Sequence, residues 1–145
     1  MMRATLRRAA LVLLLMASPA VSEPGVLIVV HAQHPSPAIT RGMLVDVYMK
    51  KVRVWEDGTP VLPVDQSLTS PTRVSFSKEA LRQSLLAVES YWNQQIFAGR
   101  GVPPPVRRND EEVLAFVEAY RGAIGYVAEN APVGARRLRV LSVID

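Results

Sequence analysis

Val26-Leu27-Ile28-Val29-Val30-His31 is a run of aliphatic, mostly β-branched residues that ends in a histidine, and His34-Pro35-Ser36-Pro37 closes it within a few positions. The two prolines fix φ and remove backbone donors, so the run cannot continue as a strand. Apolar residues occupy both alternating sets of positions. That is the mark of a strand covered on both faces, not of one with a wet side. A sheet buried on both faces needs helices on both faces, and the chain on either side of the run should supply them.

Beyond the prolines, Thr40 can cap a helix whose buried face carries Met43, Leu44, Val47 and Tyr48. Lys50 and Lys51 at its end suit the helix dipole. Glu56-Asp57-Gly58 is a turn signal, and Pro60 to Val64 reads as a second strand. Ser70 is an N-cap with Pro71 at the first helical position, where the missing N–H costs nothing. Leu81, Leu85, Val88, Trp92 and Ile96 then form one buried stripe, on one helix or on two with a break near Ala87. Trp92 and Phe97 fall on or beside that stripe, which assigns both to the core. Gly99 and Gly101 end the helix, and Pro103-Pro104-Pro105 forms a stiff connector. Asn109 and Glu112 form a capping box ahead of an apolar face of Val113, Leu114, Phe116, Val117 and Tyr120. Gly122 stops that helix, and Ala123 to Val127 and Leu138 to Ile144 read as closing strands. Strands alternate with amphipathic helices and no internal repeat is present. The fold class is α/β, a small central sheet flanked by helices.

The first 22 residues read as a secretory signal peptide. Arg3, Arg7 and Arg8 precede an apolar core, Ala9 to Ala17, that is too short to span a bilayer, and small residues alternate at Ala20 and Ser22. Cleavage near Ser22 leaves residues 23–145 as one domain. The expected location is periplasmic, with no transmembrane segment after cleavage. Loss of three arginines lowers the basic count from 17 to 14 against 13 acids, so the net charge falls from +4 to near +1. The basic stripe that nucleic-acid binding needs does not survive processing. Arg136, Arg137 and Arg139 cluster beside a strand and read as a solvated edge. Without cysteine the domain depends on its core alone, which ~120 residues can supply.

One helix start stands out chemically. The N–H groups of Thr72 and Arg73, with the hydroxyls of Ser70 and Thr72, are of the kind that converges on a tetrahedral oxyanion. Capping alone uses the same residue types, and taken by themselves these residues favour it. His31 and His34 run from a strand into a Pro-rich loop and lack the further ligands that a metal site requires. No Gly-x-Ser-x-Gly elbow is present and neither histidine has an obvious Ser and Asp pairing. The acids Asp110, Glu111 and Glu112 occupy a first helical turn, where the dipole favours them without further purpose. The expectation is a non-enzyme with no metal and no cofactor.

Several of these segments together resemble a known family. The order VLIVVH…Pro37, then Thr40 through Lys51, then Val54-Trp55-Glu56-Asp57-Gly58, is similar to one lobe of the periplasmic phosphate-binding proteins of ABC transporters. Tyr48 to Trp55 follows the family's I-F-x-G-K-x-x-x-W segment with Lys50 in place of the glycine. Val64-Asp65-Gln66 through Ser70-Pro71-Thr72-Arg73 and Phe76 resembles its Ser-Gly-Thr phosphate loop. Tyr91-Trp92, Phe97 to Gly101 and Gly122-Ala123-Ile124-Gly125-Tyr126-Val127 also match, the last being the most specific.

The resemblance implies a single lobe of a type II periplasmic-binding-protein-like fold. It also implies phosphate or a related oxyanion as ligand, with Ser70, Thr72 and Arg73 as binding residues. Pro71 stands where the family has glycine and deletes a donor, while Asp65 brings a carboxylate near the anion, so the expected binding is weak. An ABC transporter or another envelope protein is the implied partner, and a homodimer is a further option. The alternative is an envelope interaction module that keeps the fold and has lost tight ligand binding.

Overall fold

A computed structural model describes residues 25–145. The signal peptide assigned to residues 1–22 lies outside them.

The apolar run forms β1 (Val26–His31), the middle strand of a five-stranded sheet. Its neighbours are β6 (Ala123–Ala128) and β7 (Leu138–Ile144), both antiparallel to it, with Val29 opposite Gly125 on one side and Val140 on the other. Two short parallel strands flank these. β2 (Ala38–Thr40) lies along β7 and β3 (Leu62–Pro63) along β6, giving the order β2-β7-β1-β6-β3. A separate parallel pair joins β4 (Asp65–Gln66) to β5 (Val106–Arg107).

Side-chain alternation along β1 sorts the core into two layers. Ile28 and Val30 face α1 (Arg41–Tyr48), the π-helical turn Phe76–Ala80 that continues α2 (Pro71–Ser75), and α3 (Leu85–Phe97), joining Leu44, Tyr48, Phe76 and Trp92. Val29 faces the opposite side, packing with Val113, Leu114 and Val117 of α4 (Asp110–Ala119). Burial on both faces explains why β1 is apolar from Val26 to Val30. Two glycines allow the tight fit around β6. Gly122 has φ +87°, and a Cβ there would overlap the Pro60 carbonyl. At Gly125 a Cβ would come within 2.6 Å of Val113 Cγ1, so glycine is what lets α4 lie close on the sheet.

The caps agree with the sequence. Thr40 Oγ1 accepts from Met43 N at 3.1 Å, Ser70 Oγ from Arg73 N at 3.4 Å and Asn109 Oδ1 from Glu112 N at 3.0 Å. Glu112 reaches back to Arg108 N instead of the Asn109 N–H, so the box closes one residue early.

Several expectations need correction. Met43 is 39% exposed, because α1 is short and turns only Leu44, Val47 and Tyr48 fully inward. The stripe breaks at Arg82–Ser84, not near Ala87: α2 runs into a π-helical turn, Phe76–Ala80, and Ser84 starts α3 anew. Beyond Trp92 that helix leaves the core, so Ile96 is 51% and Phe97 is 96% exposed. Tyr120 is likewise outside, at the C-cap of α4 where the backbone turns extended. The strand expected over 60–64 contracts to β3, with Pro60 only bridging Val54, while β2 and β5 were not anticipated. Arg136 is tied to Glu111 and Glu118 of α4, and so is part of a surface ion-pair cluster. Among the described residues no helix is long and apolar enough to cross a membrane.

Candidate functional site

The segment Asp65 to Ser77 leaves the sheet edge as β4, turns through Ser67–Ser70 and enters α2. The turn is held by Ser70 N donating to Ser67 O at 2.9 Å, and by a 3.0 Å contact between the Ser67 and Thr69 hydroxyls. Pro71 sits at the first position of α2, as its fixed φ allows.

Gln66 organises what lies beneath. It is buried, and its amide nitrogen donates to Asp110 Oδ1 at 2.8 Å and to Tyr126 O at 2.9 Å. Its amide oxygen accepts from Ser70 Oγ at 2.8 Å. Asp110 Oδ2 in turn accepts from Ala128 N at 3.2 Å. One glutamine thus ties the α2 start, the α4 start and β6 together.

Arg73 turns inward from α2 and is 4% exposed. Its Nε lies 2.9 Å from Asp65 Oδ1, and its Nη1 donates to Ser77 Oγ one turn later. Asp65 also accepts from the Tyr126 hydroxyl and from Gln66 N at 2.9 Å. Burial pushes the Asp65 carboxyl above its ordinary value, while Arg73, Tyr126 and the Gln66 N–H pull the other way. Burial, with the Asp65 charge adding to it, also raises the Tyr126 phenol, which therefore stays a neutral donor. Tyr48 is raised for the same first reason, and its hydroxyl donates to Val64 O at 3.0 Å. Phe76 stacks on Tyr126 with ring centroids 3.8 Å apart and packs against Tyr48 at 4.7 Å.

The structure therefore gathers Ser70, Thr72 and Arg73 at one helix start but gives them different tasks. The Ser70 hydroxyl donates to Gln66 and caps Arg73 N. The Arg73 charge is met by Asp65. The half-buried Thr72 makes no side-chain hydrogen bond among the described residues. Beside this cluster a groove of about 310 Å³ opens, lined by Asp65, Gln66 and Arg73 and by Val88, Glu89, Trp92, Asn93 and Ile96 of α3. Pro103, Pro104, Val106 and Leu68 rim it.

Sequence reasoning missed Gln66 and Tyr126 as members of the cluster, and it read Asp65 as facing the ligand. Nothing local marked the first two. An arginine three positions beyond an N-cap, eight residues after a carboxylate, was the available signal for the Asp65 pairing. His34 is buried, edge-on to Trp55 at 4.7 Å, and its Nδ1 contacts Ser36. Trp55 is itself buried and donates to Gly122 O at 2.9 Å, which makes it a structural clamp. No group of three or more potential metal ligands occurs among the described residues.

No protein-family model and no curated protein sequence matches the chain. Solved structures do. One is a Clostridium perfringens protein assigned as a phosphate ABC transporter substrate-binding protein and solved with bound phosphate; it is similar over 83% of this chain and 45% of its own length, at 18% identity and TM-score 0.64. An ABC-type phosphate transport receptor from Vibrio cholerae is similar over 83% and 46% of the two chains, at 18% identity and TM-score 0.62. PstS from Borrelia burgdorferi gives 83% and 47%, at 12% identity and TM-score 0.62. The chain spans less than half the length of these structures, and the likeness establishes a periplasmic-binding-protein-like fold.

Proposed function

We propose that the chain is a non-enzymatic, solute-binding-like lobe of the cell envelope that takes phosphate or a related oxyanion weakly at the start of α2. The observation that carries this reading is the likeness of its fold to a phosphate-bound protein, with Ser70 and Thr72 at a helix start whose Arg73 lines an open groove. Thr72 supplies the uncommitted hydroxyl and N–H, Ser70 contributes by turning its hydroxyl from Gln66, and Arg73 fixes the helix start from beneath. An exported, periplasmic location and a link to an ABC transporter belong to the same reading.

Weak binding follows from the geometry. The Ser70 proton must leave a 2.8 Å bond to reach an anion, and Arg73 is already neutralised by Asp65. Pro71 removes one donor.

Thermal unfolding in phosphate, sulfate and chloride at matched ionic strength tests the assignment. A ligand at 100 times its Kd stabilises by ~2.7 kcal/mol, which raises the midpoint by several degrees in a domain of this size. A phosphate-selective rise that Ser70→Ala with Thr72→Ala abolishes is the expected result. No rise, or an equal rise with every salt, would remove the anion site. It would leave the interaction module, for which the outward-facing Leu86 and Phe97 of α3 offer a surface.

A further inference from the structure

The chain after α1 and the chain after α3 meet around a second pocket, of about 300 Å³, whose lining shares no residue with the groove beside α2. Lys50 and Arg53 come from the first segment and Arg100 from the second. Val61, Pro63 and Val102 form an apolar wall, and no carboxylate lines the pocket. The two segments are held together by the Tyr91 hydroxyl, which donates to Met49 O at 2.8 Å. Gly99, at φ +68°, turns the chain off α3 towards the pocket.

Among the described residues these cations, like Lys51, Arg107, Arg137 and Arg139, have no carboxylate within salt-bridge distance, whereas six arginines do. Arg41, Arg73, Arg82, Arg108, Arg121 and Arg136 each lie within salt-bridge distance of a carboxylate. Lys50, Arg53 and Arg100 have no carboxylate partner among the described residues. Nor are they needed by the end of α1, where Val45 O, Asp46 O and Val47 O already accept from the N–H groups of Met49, Lys51 and Lys50. Only Arg53 Nε makes a long 3.4 Å contact with Lys50 O. Lys50 also holds a left-handed backbone, φ 54°, which glycine would adopt more easily. Burial, with repulsion from Arg53 second, holds its ammonium below the usual value. An anion in the pocket would relieve that.

We propose that Lys50, Arg53 and Arg100 form a second anion site, for a phosphomonoester whose organic part rests on Val61, Pro63 and Val102. A monoester carries about two negative charges at neutral pH, so it answers several cations at once, and guanidinium forks suit its oxygens. The pocket is at the lower end of the ligand-site range, about 300–1,000 Å³, which limits the organic part to a small group. The same chemistry occurs in a free organic phosphate and in a phosphatidic acid headgroup.

The experiment is calorimetric titration of the protein with phenyl phosphate, alongside sedimentation with phosphatidylcholine vesicles that contain or lack phosphatidic acid. Saturable binding of either probe is expected, and which of the two binds identifies the source. Lys50→Gly, Arg53→Gln and Arg100→Gln should each weaken it by about fivefold, a discounted value for charged hydrogen bonds at a partly open site. Lys50→Gly suits the φ of its position, so it removes the charge without straining the fold. Ser70→Ala with Thr72→Ala removes any binding of the probe at the α2 start, and the saturable component that depends on Lys50, Arg53 and Arg100 should remain, which separates the two sites. Absence of saturable binding to both probes would overturn the proposal. So would unchanged affinity in a variant that combines Lys50→Gly, Arg53→Gln and Arg100→Gln, or complete loss of binding in the Ser70 and Thr72 variant alone.

Discussion

Arg73 and Asp65 are two buried charges whose partners differ in what they can do when left alone. A guanidinium cannot shed its proton, so Asp65→Asn strands a positive charge 4% exposed to solvent. Breaking a buried pair in this way costs about 3–5 kcal/mol. Asp65 has an escape, because burial already favours its neutral form. Arg73→Met therefore costs less than Asp65→Asn, and urea midpoints of the two variants will rank them. The pH dependence has a definite sign. A carboxyl whose folded pKa lies above its ordinary 3.8 is favoured in the folded state at low pH, and that contribution is lost as pH rises through the folded value. Without the guanidinium the folded value rises further. The stability deficit of Arg73→Met relative to the natural chain should thus shrink as pH falls from 7 towards 4; a deficit that stays constant over that range would mean that Asp65 remains ionised in both proteins.

Helix starts illustrate how far local signals reach. Asn109 was recognisable as a cap because Asp, Asn, Ser and Thr satisfy the orphan N–H groups of a first turn. Its 3.0 Å bond to Glu112 N should make Asn109→Ala cost about 1 kcal/mol, measured by chemical denaturation. The same substitution at Ser70 would report more than capping, since Ser70 also donates to Gln66. Helix ends were less legible. The periodicity of Leu81 to Ile96 is uniform in sequence, yet Ile96 and Phe97 lie outside the core. A helix longer than the sheet it packs on keeps its period after its neighbours have ended. The π-helical turn at Phe76–Ala80 was invisible for a related reason: one extra residue per turn shifts the buried face without altering residue type.

At the scale of the whole molecule, β1 is shared by two cores. Both tryptophans, Trp55 and Trp92, belong to the layer containing Ile28 and Val30. The α4 layer, with Val29 fully buried, contains neither. If the strand couples the layers, Val29→Ala should lower the unfolding midpoint seen by tryptophan fluorescence as much as that seen by far-ultraviolet circular dichroism. A core truncation of this kind costs about 1–3 kcal/mol. Separated transitions would show that the layers unfold independently and that unfolding is not two-state.

The sequence alone determined the α/β class, the central strand, the caps at Thr40, Ser70 and Asn109, and the necessity of a stop at Gly122. Each depends on neighbours within a few residues: side-chain alternation, a hydroxyl or amide facing its own first turn, a φ only glycine takes easily. Tertiary structure decided the rest. Short strands such as β2 and β5 exist only because β7 and β4 lie beside them to take their hydrogen bonds. Whether Arg73 faced a ligand or a carboxylate depended on Asp65 and Tyr126 arriving at the same buried point, the latter from 53 positions away. Lys50, Arg53 and Arg100 likewise become one pocket only when α1 and α3 end side by side. Charge is written in the sequence residue by residue, but its partner is set by packing, because an electrostatic interaction depends on distance and burial and not on order along the chain.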